Sequence, residues 1–68
     1  MTAQEQMTLE DSVDRHGLAN VLYALANISS EKADHILVSY DDKPLATRWT
    51  DAAEMLWKFS AKVERILP

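Results

Sequence analysis

From Gly17 to Tyr40 the apolar residues recur at helical spacing. Leu18, Val21, Leu22, Leu25, Ser29, Lys32, Ala33, Ile36 and Tyr40 share one side of a helix drawn through the stretch, and Asn20, Asn27, Glu31 and Asp34 share the other. Polar residues spaced this way form a single solvent face. The spacing predicts one helix over 18–40. A rival reading breaks it at Ile28-Ser29-Ser30, where either serine could cap a new helix at Glu31. Val38 is the exception, an apolar residue on the polar side.

A second stripe is cleaner. Leu45, Trp49, Ala52, Leu56, Phe59, Val63 and Ile66 alternate by four and three residues, and Thr47, Asp51, Glu54, Lys58, Lys62 and Arg65 occupy the opposite face. This heptad spacing predicts a helix over 44–67 that packs at a shallow angle. Glu54 and Lys58 form an i, i+4 pair in the favourable orientation. Between the two stripes stands Asp41-Asp42-Lys43-Pro44, where proline disfavours helical geometry in the residue before it and suits the start of the next helix. So short a connection makes the long helices antiparallel neighbours.

Upstream the pattern is weaker. Residues 1–7 show no periodicity and are expected to be disordered. Thr8 reads as an N-cap, with Glu10 and Asp11 in the first turn, opening a short helix over 9–16. Gly17 is the chain's single glycine and separates this helix from the long one, as a residue free to take positive φ would; the alternative is an interior helix glycine. The expected fold is all-α: one domain over 8–68, an antiparallel helical hairpin with a short N-terminal helix laid across it.

Size then changes the picture. A chain of 68 residues builds only a small core, and small domains are commonly reinforced by disulfides, a metal or oligomerisation. There is no cysteine, which excludes disulfides and thiolate ligands. Two stripes can cover one another along one seam, yet Tyr23, Met55 and Trp57 fall outside the stripes. These three residues are the predicted partner or dimer interface, and a homodimeric helical bundle is the expected way to cover them.

Charge narrows the partners. The net charge is −4, of which residues 1–44 contribute −5 and residues 45–68 contribute +1. No basic cluster offers the electrostatic footprint of direct nucleic-acid binding. No apolar run is long enough to span a bilayer, and no basic segment precedes an apolar one at the N-terminus, so a cytoplasmic protein is expected. His35, with Glu31 one turn before it and Asp34 beside it, is the one local cluster resembling a ligand site. It lacks the third and fourth converging ligands a metal needs, so neither a metal nor a cofactor is expected. Nucleophile elbows and phosphate-binding glycine loops are also missing, and no enzymatic activity is predicted.

The run DRHGLANVLYALANISSEKADHI, Asp14 to Ile36, resembles a recurrent pattern in small all-helical bacterial proteins of uncharacterised function. Gly17-Leu18 opens it, Val21, Leu22, Leu25 and Ala26 form its core, and Lys32, Ala33 and His35 close it. The resemblance covers about a third of the chain and implies an all-α fold without an activity; it also raises interest in Lys32 and His35 as ligand candidates. The functional expectation is a non-enzymatic protein–protein interaction module that self-associates through amphipathic helices. The alternative is an acidic regulator or decoy that docks on a nucleic-acid-binding protein, suggested by the acid-rich first 44 residues.

Overall fold

The computed structural model describes residues 1–67; Pro68, the last residue of the expected domain, lies outside them. Three helices account for nearly all of the described chain: α1 (Ala3–His16), α2 (Leu18–Tyr40) and α3 (Lys43–Ile66). The two long helices pack as the expected hairpin, and α1 packs on α2 alone.

α1 begins at Ala3, well before the expected start at Leu9, so residues 3–7 are helical. The reason is a capping box. The Glu5 amide donates to Thr2 Oγ1 at 3.1 Å, and the Thr2 amide donates to Glu5 Oε1 at 2.9 Å, satisfying two helix-end donors reciprocally. The residues that follow, Ala3 to Met7, are good helix formers. Thr8, expected as the cap, is interior, and its hydroxyl donates to the Gln4 carbonyl.

Gly17 breaks the chain at φ 85°, and its amide still donates to the Val13 carbonyl at 2.7 Å. A Cβ here would meet nothing within 4 Å, so the constraint is backbone conformation and not space. α2 then runs unbroken through Ile28-Ser29-Ser30. Ser29 does not cap; its hydroxyl donates back to the Leu25 carbonyl at 2.9 Å, which lets a buried serine stay inside a helix. Asp41 ends α2 in the left-handed region at φ 50°, a conformation that aspartate tolerates. Asp42 accepts from the Leu45 amide at 3.1 Å and opens α3, with Pro44 in its first turn.

The seam is where structure and stripe part. The buried residues are Ala26, Ser29 and Ala33 on α2 and Ala46, Ala53, Ser60 and Val63 on α3. They extend into two heptad rows, 19/22/26/29/33/36 and 46/49/53/56/60/63. These rows keep Leu22, Ser29, Ala33, Ile36, Trp49, Leu56 and Val63 from the expected stripes, but they bring in Ala19, Ala26, Ala46, Ala53 and Ser60 where the stripes had Leu18, Leu25, Leu45, Ala52 and Phe59. Small facing side chains allow helix axes to approach closely. The approach is close enough that the Ser60 hydroxyl donates across the seam to the backbone carbonyl of Ala19 at 2.8 Å.

α2 lies between α1 and α3, which share no contact among the described residues. The Cα extents are 40 × 29 × 13 Å, the dimensions of three helices laid side by side. The radius of gyration is 13.8 Å, against about 11 Å for a compact chain of this length.

Two outcomes are expected. Ala53→Leu, which forces three extra carbons into the seam, lowers unfolding free energy by about 1–3 kcal/mol, whereas Ala61→Leu, on the exposed side of the same helix, leaves the urea midpoint nearly unchanged. The Glu5 carboxyl is held below its ordinary range by the hydrogen bonds from the Thr2 backbone amide and then the Thr2 side chain. A depressed carboxylate contributes stability above its unfolded-state pKa, and that contribution is lost as pH falls through the lower folded-state value. Amide exchange at Thr2, Glu5 and Gln6 therefore accelerates in acid relative to the middle of α2, and Glu5→Gln removes most of that pH dependence.

Candidate interaction face

The residues displaced from the seam are large and exposed. On the flank of α3 that carries Trp49, helical spacing aligns Leu45, Ala52, Phe59 and Ile66 in one row and Arg48, Met55 and Lys62 in the next. Met55 is 70% exposed, Phe59 60% and Ile66 75%, values that leave most of each side chain in water. In an antiparallel pair, equivalent flanks meet on the same side, so Leu18, Val21, Leu25 and Ile28 of α2 continue this surface. The result is one apolar face of the layer, rimmed on α3 by Arg48 and Lys62.

Between α1 and α2 that face deepens into an open groove of about 480 Å³, with Leu9, Val21, Ala24, Leu25 and Ile28 as its apolar lining. α1 buries no residue fully. It lies on α2 without filling the space between them.

The opposite flank is smaller and more polar. Tyr23 and Trp57 both fall there, and the Trp57 indole N–H donates to Asn27 Oδ1 at 3.3 Å. Trp57 is half-buried and Tyr23 exposed. A second hollow of about 310 Å³ on this side is lined by Ala33, Asp34, Leu37, Lys43, Ala46, Thr47 and Thr50. The three residues predicted for an interface are therefore divided: Tyr23 and Trp57 share one flank, and Met55 sits on the other. Phe59 belongs to the apolar stripe expected to face the seam, but the structure leaves it exposed on the same flank as Met55.

Lys32 and His35 lie at the far end of the apolar face. The Lys32 ammonium stands 6.0 Å from the centre of the Trp49 ring, the outer limit of a cation–π contact, with its methylenes free to cover apolar surface. His35 Nδ1 is 3.4 Å from Ser39 Oγ, and its ring meets Tyr40 edge-on with centroids 5.9 Å apart. Among the described residues no group of three or more His, Cys, Asp or Glu side chains is placed to hold a metal ion. No described helix is long and apolar enough to cross a membrane.

The exposed surface totals 5577 Å² for a 7.7 kDa chain. A compact monomer of that mass exposes about 4,300 Å², leaving an excess of about 1,200 Å². No family model matches the chain, and neither a curated protein nor a solved structure matches it.

The Trp57–Asn27 bond is open to a direct check. Asn27→Ala is expected to shift Trp57 fluorescence, read in a Trp49→Phe background, while costing no more than about 1 kcal/mol.

Proposed function

We propose that this chain is a non-enzymatic interaction module that self-associates through the apolar face of its hairpin. One observation carries the reading: no large side chain among the described residues is fully buried, while Met55, Phe59 and Ile66 stand exposed on one side of the hairpin. A hairpin sealed by alanine and serine gains little from its own seam, because these side chains remove little apolar surface from water. Covering the face supplies what the seam lacks. The surface excess is also of the right size, since obligate homodimers bury about 1,000 Å² or more on each partner.

On this reading Met55 lies in the subunit contact. Tyr23 and Trp57, on the other flank, stay accessible and form the surface offered to a different protein. Aromatic residues with one polar end suit such a role, as they combine contact area with a directed hydrogen bond. The acidic-regulator reading draws on a narrower feature. α1 carries Glu5, Glu10, Asp11 and Asp14 against Arg15 alone, and of these Asp11 is paired with Arg15 at 3.1 Å. A docking partner held chiefly by that edge would be released by salt.

The deciding measurement is mass in solution across a concentration series, by light scattering. The expected value is twice 7.7 kDa, with Phe59→Asp returning the protein to a monomer. A wild-type chain that remains monomeric into the millimolar range would falsify self-association.

A further inference from the structure

When the helices of two stacked layers stay aligned with one another, face-to-face stacking leaves two ways to arrange a two-fold axis. If the axis runs along α2, the layer is turned over side to side, and α1 of each copy covers α3 of the other. If it runs across α2, α1 covers α1 and α3 covers α3. Apolar burial alone does not choose between them. Charge does.

α1 has four acids and one arginine, a net −3. α3 has Lys43, Arg48, Lys58, Lys62 and Arg65 against Asp51, Glu54 and Glu64, a net +2. Within one chain these helices sit on opposite edges of the layer and do not touch. An axis across α2 would set acid on acid at one edge and base on base at the other, with the unfavourable energy that like charges incur across an interface. An axis along α2 sets the acidic edge on the basic edge twice, as an isologous contact requires.

The register supports the same choice. The Ser60–Ala19 and Trp57–Asn27 bonds fix which residues of α3 stand level with which residues of α2. Phe59 and Met55 fall level with the stretch of α2 between Ala19 and Ile28, and Lys62 falls level with its first turn. A two-fold along α2 preserves these levels. It therefore brings Phe59 and Met55 of one copy over the groove that Leu9, Val21, Leu25 and Ile28 line in the other.

Resting on the self-association proposed above, we infer that the partner for the apolar face is a second copy of this chain, stacked about a two-fold axis along α2. In that dimer α3 of each copy seats Phe59 and Met55 in the α1–α2 groove of the other, and the basic edge formed by α3 lies along the acidic edge formed by α1.

Because the chain contains no cysteine, single introduced thiols report the arrangement cleanly. Leu9→Cys and Phe59→Cys protein are mixed under mild oxidation, with circular dichroism confirming that each variant is helical. The expected product is the mixed disulfide between unlike chains, formed faster than either homodisulfide. Light scattering is run alongside. A dimer in which Leu9→Cys links chiefly to itself overturns the side-to-side stacking and leaves self-association standing, as does a dimer that forms no mixed disulfide. A monomer overturns both. Charge supplies a second readout: Lys62→Glu weakens the dimer several-fold, and raising the salt concentration weakens the wild-type dimer. A dimer whose affinity is changed neither by Lys62→Glu nor by salt counts against the proposed pairing of edges.

Discussion

When alanine and serine face one another along an antiparallel pair, the helices approach until a side-chain hydroxyl can reach the opposite backbone. The Ser60–Ala19 hydrogen bond, 2.8 Å long and directed at a main-chain carbonyl, marks that limit here. The shape of the molecule depends on it. The closest positions of so narrow a seam are left to alanine and serine, and Leu18, Leu25, Leu45 and Phe59 are turned to one flank. The layer is correspondingly thin.

A close seam has an energetic consequence. Burying an alanine removes much less apolar surface from water than burying a leucine or phenylalanine, so the hairpin has tight geometry with a modest hydrophobic gain. The fully enclosed positions Ala26 and Ala53 define where the helices meet, whereas Phe59, Met55, Ile66, Leu25 and Ile28 hold large apolar side chains outside them. Geometry and driving force are thus carried by different residues. In a chain of this length that separation favours assembly over life as a monomer, and it supports the proposed self-association.

The polar residues follow the same division. Capping and turn groups such as Thr2, Glu5, Asp41 and Asp42 satisfy the helix ends locally and owe nothing to the seam. The remaining charge is sorted by helix, acidic on α1 and basic on α3, with the central helix holding them apart. Such sorting does little for the fold of one chain, because surface charges on separate edges interact weakly through water. Its value would lie in orienting two chains.

Most of the architecture was legible in the residues. Three helices, the break at Gly17, the turn at Asp41-Asp42 and the antiparallel hairpin all follow from short-range rules of spacing, capping and chain reversal, which the chain states locally. The start of α1 was equally local, since Thr2 and Glu5 have capping-box spacing, but the acids after Thr8 offered a competing start. The candidate face was half legible: Met55, Tyr23 and Trp57 stand off the apolar stripes, yet nothing in their order tells which share a flank. The facing row is a different matter. Each long helix carries two adjacent rows at heptad spacing, one of larger apolar residues and one weighted to alanine and serine, about 100° apart. Hydrophobicity favours the larger row, and a single sequence offers no reason to prefer the smaller. Only the packed pair decides, because the contact between two helices depends on how closely their backbones can approach, a property of both surfaces together and of neither sequence alone.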